Sequence, residues 1–279
     1  MKPAAFAYWC PASIEEAIRL LSDNAGAKIL AGGQTLGPLL NLRLAQPDLV
    51  VDITRIAALV RVEPSSDAIA YGACITHAAF EDRRLPDAAN GLLAQVAAGI
   101  GYRAVRARGT MGGSLAHADP AADWIAALAA LDADVLVTGA AGRRRVPVTA
   151  FMRGAMAPDL DGAELIDGIS VPRLSGEARY GFAKICRKVG EFPEAIGVVV
   201  HDPARAYVRL VSGATAGRPI VLAPSDVARA ADDGLPSAQH FDPDHAMASL
   251  RRAGLGDDRY ELAIHAVALK RALEQAAAR

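Results

Sequence analysis

Cysteine is scarce in this chain, with three residues in 279, and Cys10, Cys74 and Cys186 stand far apart with no C-x-x-C pair. An iron–sulfur cluster usually takes four thiolates, so this chain is not expected to hold one alone, and buried or half-buried thiols without a special role are the expectation. An excess of charge of either sign is also missing. The 30 Lys and Arg against 31 Asp and Glu leave a formal net charge of −1, which favours neither nucleic acid nor an anionic membrane surface as partner. Long hydrophobic runs are absent, since stretches such as Trp124 to Leu131 and Ala195 to Val200 fall well short of a bilayer span. The opening Met1-Lys2-Pro3-Ala4-Ala5-Phe6 lacks the apolar core of a secretory signal, and the expected location is cytoplasmic. Nor is there a G-x-G-x-x-G between the first strand and the first helix, so a Rossmann reading would misplace the phosphate loop.

What is present is a pair of glycine loops about 80 residues apart. Gly109 to Trp124 opens with Thr110 and Gly112-Gly113, where missing Cβ atoms let the backbone take positive φ and approach another group closely. It ends as a helix start, with Asp119 as N-cap, Pro120 at the first helical position and Asp123 in the first turn. A tight glycine turn with free N–H donors, followed by a helix N-terminus, suits an anion such as a phosphate. In Ile29-Leu30-Ala31-Gly32-Gly33-Gln34-Thr35-Leu36-Gly37, a strand end runs into a second glycine turn, and Gln34 and Thr35 add side-chain donors. Two such loops suggest one ligand held from two sides.

Read in order, Phe6 to Trp9 is a strand and Ser13 with Glu16 forms a capping box for a helix whose stripe is Ile14, Ala17, Ile18 and Leu21. Strands at Lys28 to Ala31 and Leu49 to Asp52, with a short helix over Pro38 to Leu44, complete a βαβ-like unit over residues 1–58. A second, α+β unit covers 59–174, with strands at Val60 to Val62, Ala68 to Tyr71, Val135 to Thr138, Arg144 to Pro147 and Leu165 to Val171. Its helices fall at Thr76 to Asp82, Pro86 to Ala98 and Pro120 to Asp132. The third unit, 175–279, has three strands, Tyr180 to Lys188, Ile196 to His201 and Ala206 to Ser212, then helices at Pro224 to Ala231, Pro243 to Ala253 and Asp258 to Ala277. In the last helix Leu262, Ala266, Leu269 and Leu273 form an apolar face that would pack on the three-stranded sheet, with Lys270 and Arg271 solvated. A ligand cleft is expected where the first two units meet.

Ala31-Gly32-Gly33-Gln34-Thr35 together with Thr110-Met111-Gly112-Gly113-Ser114, Asp119-Pro120 and Asp123 resembles the FAD-binding medium subunit of the molybdenum hydroxylases. This family includes the flavin chains of carbon monoxide dehydrogenase, of quinoline and nicotine hydroxylases and of xanthine dehydrogenase. The resemblance runs over nearly the whole chain, from the opening Pro-Ala-x-Phe-x-Tyr to Lys184 to Gly190. It implies an α+β, two-subdomain FAD-binding fold of the PCMH type followed by a C-terminal three-stranded antiparallel sheet with a helix bundle. It implies that Ala31 to Leu36 wrap the FAD pyrophosphate through backbone amides and that Thr110, Met111, Gly112, Gly113 and Ser114 embrace the cofactor from the other side. Asp123 would accept a sugar or ribitol hydroxyl, while Leu165 or Ile166, Lys184 and Ile100 match positions by the isoalloxazine, where a cation stabilises charge on the reduced ring. The implied partners are a small subunit with two [2Fe–2S] clusters and a large subunit with the molybdenum cofactor, in a dimer of heterotrimers. The role implied for this chain is electron transfer from cluster through FAD to an external acceptor. The loops lean towards an N-heteroaromatic substrate, hydroxylated on the large subunit, with a carbon monoxide or aldehyde dehydrogenase or a flavin-free scaffold as alternatives.

The same residues have plainer readings. Gln34 and Thr35 can hydrogen-bond their own turn, Asp123 can simply favour a helix N-terminus, and Lys184 can be an exposed strand lysine. Arg103, Arg106 and Arg108 fit phosphate, a partner subunit or a solvated face, and His117 reads as a loop histidine beside the site. Gly190-Glu191-Phe192-Pro193-Glu194 departs from the family's Gly-Asp-aromatic sequence: Phe192 keeps the ring, and Pro193 alters the backbone. A stand-alone flavoenzyme of the related vanillyl-alcohol-oxidase superfamily would need a substrate domain of some two hundred residues, about twice this C-terminal unit.

Overall fold

The fold is described from a computed structural model, which covers residues 1–230 and 234–279. Ser13 starts α1 (Ile14–Asp23) by accepting the Glu16 amide at 3.2 Å, and Ala17, Ile18 and Leu21 turn inwards. The Glu16 carboxylate reaches the Ala12 amide at 2.8 Å rather than that of Ser13, so only half of the expected capping box forms. Around this helix β1 (Ala7–Trp9), β2 (Lys28–Leu30) and β3 (Leu49–Asp52) make a parallel sheet in the order β1-β3-β2, with α2 (Leu36–Asn41) crossing between β2 and β3.

A second sheet, of five antiparallel strands, is ordered β4-β5-β10-β6-β7. Its members are β4 (Val62–Pro64), β5 (Ala68–Gly72), β6 (Asp134–Gly139), β7 (Gly142–Pro147) and β10 (Leu165–Pro172). Between β5 and β6 lie α3 (His77–Glu81), α4 (Leu92–Ala98), α5 (Arg103–Arg106), α6 (Met111–His117) and α7 (Asp123–Ala130). After β7 come the single turn α8 (Val148–Phe151) and the ribbon of β8 (Met152–Gly154) with β9 (Ala157–Pro158). The glycine stretch, expected as a tight turn, therefore starts a helix. Thr110 is its side-chain cap, Oγ1 accepting the Gly113 amide at 3.0 Å. The expected helix from Pro120 begins at Asp123, because the Asp119 carboxylate bonds the Ala121 amide in a local turn.

The C-terminal sheet has four strands, not three: β11 (Arg179–Ile185), β12 (Ala195–Asp202), β13 (Tyr207–Gly213) and the edge strand β14 (Ile220–Leu222), all antiparallel. The helix expected over Pro224 to Ala231 is instead a 3-10 turn over Pro224–Asp226 followed by β15 (Ala228–Ala230), which pairs with β16 (Pro236–Phe241). Pro224 and the Asp226 carboxylate, which accepts the Ala223 amide, fit a short turn, and β-pairing takes the chain that follows. Ala231 itself lies outside the described residues. α9 (Pro243–Arg252) and α10 (Arg259–Ala277) close the chain, with Leu262, Ala266, Leu269 and Leu273 all buried as the periodicity requires.

Two helices cover the two faces of the C-terminal sheet. Gly181 and Gly197 let α10 touch it, since a Cβ at either would stand 1.8 Å from the Ala272 carbonyl oxygen or 2.4 Å from the Ala268 carbonyl carbon. On the other face Gly213 meets α7, where a Cβ would lie 2.5 Å from that of Ala126. All eight residues of α7 are buried, so this helix, apolar nearly all round, is shared by the five-stranded and four-stranded sheets. It is also what fixes Asp123 in place.

Candidate functional site

Where the parallel sheet meets the five-stranded sheet there is a cavity of about 960 Å³, at the large end of the range for small-molecule sites. The loop after β2 forms one wall. Gly33 sits at φ +71°, and Gly32 lies against the other loop so closely that a Cβ would stand 2.1 Å from the Arg108 carbonyl oxygen. Glycine is required at 32 by the close approach and is favoured at 33 by the left-handed backbone. Among the described residues the amides of Ala31, Gly32, Gly33, Gln34, Thr35 and Leu36 have no hydrogen-bond acceptor in the protein. Gly32 is buried and Ala31, Gly33 and Leu36 are half-buried, so their amides are shielded in part from solvent, while Gln34 and Thr35 are exposed at the cavity edge. Six consecutive open donors on a cavity wall fit an elongated, anionic, oxygen-rich ligand. Gln34 spends its own Nε2 on the Gly32 carbonyl at 3.2 Å, which is the plainer of its two readings.

The second loop is built differently from the sequence expectation. Gly112 and Gly113 are helical and not at positive φ. The amides of Met111, Gly112, Gly113 and Ser114 donate to Ile75 O, Ala73 O, Thr110 Oγ1 and Thr110 O, so they are not free donors. Glycine is required at 112 for close approach, since a Cβ there would be 2.5 Å from that of Ala73. Gly113 and Ser114 face the cavity, while Met111 is fully buried and does not line it.

Of the other expected residues, Ile100, Asp123, Leu165 and Ile166 line the cavity together with Ala31 to Leu36, Thr110 and Gly112. Lys184 does not. Its ammonium lies behind the wall, 2.8 Å from Asp123 Oδ1 and 2.7 Å from the Gly99 carbonyl oxygen. The pair is nearly dry, at 12% and 7% side-chain exposure, and burial pushes the Asp123 carboxyl up while the Lys184 charge pulls it back. Lys184 is thus neither an exposed strand lysine nor a free cation on the cavity wall. His117 ends α6 and lines the cavity, as do the exposed rings of Tyr102 and Phe192 at its mouth.

Two of the three arginines ahead of Thr110 are spent on carboxylates of α3 and its C-cap. Arg103 and Arg106 pair with Glu81, and Arg103 also with Asp82, at 2.6 to 2.8 Å, which removes them as phosphate ligands. Arg106 further donates to the Ile100 and Gly101 carbonyl oxygens at 3.1 and 2.9 Å. With Lys184 on Gly99, two cations hold three successive carbonyls of the loop that carries Ile100. Sequence reasoning missed Glu81 and His77. Glu81 had a signal in the nearby arginine cluster, whereas His77 had none, because its partner Trp124 is 47 positions away.

Comparison with known proteins places this geometry. Residues 4–174 match the family described as the FAD binding domain in molybdopterin dehydrogenase. The chain is 39% identical over 220 residues to the 6-hydroxypseudooxynicotine dehydrogenase complex subunit alpha of Paenarthrobacter nicotinovorans, covering 76% of this chain and 74% of that protein. It is 37% identical to the nicotine 6-hydroxylase medium subunit of the same organism, covering 78% and 77%. Its fold superposes on the structure of carbon monoxide dehydrogenase from Hydrogenophaga pseudoflava with a TM-score of 0.86 and 30% identity, covering 100% of this chain and 99% of the other. Among the described residues no helix is long and apolar enough to cross a membrane. The chain belongs to the FAD-binding medium subunits of the molybdenum hydroxylases, which are components of oxidoreductase complexes, and its cofactor is FAD.

Proposed function

We propose that this chain is the electron-transfer subunit of a heterotrimeric molybdenum hydroxylase, placed between the [2Fe–2S] clusters of a small subunit and an external acceptor. Bound FAD supplies a centre that takes electrons singly and gives them up in pairs. The chain's own residues do the holding. Ala31 to Leu36 present six amides to the pyrophosphate, and Ser114 and Thr110 face the cofactor from α6. Ile100, Leu165 and Ile166 supply apolar walls for the ring, and Asp123, fixed by Lys184, presents a carboxylate oxygen to a hydroxyl. The observation that carries the reading is the run of open amides over a cavity of about 960 Å³.

The nicotine-derived compounds in the names of the two Paenarthrobacter relatives favour an N-heteroaromatic substrate, hydroxylated on a separate molybdenum subunit. A carbon monoxide dehydrogenase role is the second reading, favoured by the structural likeness. In either case the proposed assembly is a cytoplasmic dimer of heterotrimers, and the units 1–58, 59–174 and 175–279 are its building blocks within this chain. The test is the visible spectrum of the purified chain with and without added FAD, followed by acid release of the flavin. One FAD per chain, lost in Gly33→Val and in Gly113→Val, is the expected result. A colourless chain that takes up no FAD, alone or in its complex, would leave a flavin-free scaffold and overturn the proposal.

A further inference from the structure

His77 is a buried ring in the cavity wall that no role above uses. It is the first residue of α3, only 5% exposed, and lines the cavity. Its Nδ1 lies 3.0 Å from the indole Nε1 of Trp124, which is fully buried and packed edge-on against Phe80 at 5.3 Å between centroids. An indole N–H only donates, so Nδ1 must accept, and the neutral imidazole carries its proton on Nε2. That nitrogen sits at the seam of the two glycine loops. A Cβ on Gly109 would stand 2.8 Å from His77 Nε2, and one on Gly32 would be 2.8 Å from the Gly109 Cα. No described residue accepts from Nε2, although the side chain is more than nine-tenths buried. Because His77 lines the cavity and its Nε2 is not sealed in packed protein, this donor is open to a ligand beside the six open amides.

We propose that His77 is an FAD-binding residue whose Nε2–H donates to a pyrophosphate oxygen, with Trp124 as the residue that fixes the tautomer. This rests on the reading of the cavity as the FAD site. The imidazole adds a directed donor where the second loop, its amides spent on the protein, has few left to offer. The flavin subunit would then grip the pyrophosphate from the amides of the first loop and from this ring between the two loops.

The test uses the full chain, in its complex where that forms, and titrates FAD into wild type, His77→Gln and His77→Leu while following flavin fluorescence. Glutamine keeps an acceptor for Trp124 and a donor for the ligand, whereas leucine keeps neither. A hydrogen bond to a charged oxygen predicts a dissociation constant raised about 10- to 100-fold in His77→Leu, with much of the loss recovered in His77→Gln. In wild type the ¹⁵N–¹H signal of His77 Nε2 is expected to move on saturation with FAD, and this readout holds even if the leucine variant does not fold. A folded leucine variant within twofold of wild type, or an Nε2–H signal indifferent to FAD, overturns the proposal. Failure of wild type to bind FAD at all is a different result and overturns the site reading beneath it.

Discussion

Acidification from pH 7.5 to 5.0 is expected to destabilise the fold through two histidines buried in the neutral form. Burial holds the His77 and His265 imidazoles down at about 4, against an ordinary value of 6.5, with Arg106 adding to the effect at His77. Because the folded value is the lower one, the unfolded chain binds these protons first. The stability they permit is therefore complete above about pH 6.5 and is lost as the pH falls towards 4. At pH 5.0 a group with those two values costs about 2 kcal/mol, and the pair about 4 kcal/mol, a large part of the roughly 5–15 kcal/mol that holds a domain folded. His265 adds a structural reason: it is fully buried, Ser212 Oγ lies 2.7 Å from its Nδ1, and its Nε2 has no partner, so a second proton would have nowhere to point. Asp123 acts in the opposite sense, since burial raises its carboxyl and its protonation favours the folded chain. Glu81 and Glu164, held below the usual carboxylate range by Arg106 and Arg144, lose their contribution only at lower pH. Urea unfolding at several pH values, on wild type, His77→Gln and His265→Gln, measures the slope. Each variant is expected to remove about half of the loss between pH 7.5 and 5.0. A flat wild-type profile over that interval, or variants with the wild-type slope, would refute the reasoning.

Two further outcomes follow from packing and charge. Gly197→Ala puts a methyl 2.4 Å from the Ala268 carbonyl carbon, so α10 must move off the sheet, at about 1–3 kcal/mol read as a lowered urea midpoint. An unchanged midpoint would mean that the helix does not press on β12. Lys184→Met leaves the Asp123 carboxylate buried without its cation and should cost about 3–5 kcal/mol, whereas adding Asp123→Leu should recover much of it. A double-mutant cycle on melting temperature measures the coupling, and a coupling near zero would show that the pair does not matter to stability.

The two glycine loops were legible because glycine leaves a mark that few other constraints leave: Gly32, Gly33, Gly112 and Gly113 each stand where a Cβ would clash or the backbone turns left-handed. Period and caps likewise placed α1 and α10. The sequence could not say that Gly112-Gly113 is helical, since a small residue needed for close approach and one needed for a turn look alike in one dimension. It missed β14 and β15, three residues each, because strands so short carry too few side chains to show an alternation, and it missed β16, Pro236–Phe241, whose Pro-Ser-Ala-Gln-His-Phe has no apolar alternation. The chain's own sequence thus determined the principal strands and the amphipathic helices α1 and α10, the two-sided cavity wall and the family. Tertiary structure alone decided which charges are spent. Arg103 and Arg106 go to Glu81 and Lys184 goes to Asp123, 61 positions away, while His77 is left with an open donor, because pairing in a desolvated wall depends on distance through space and not along the chain.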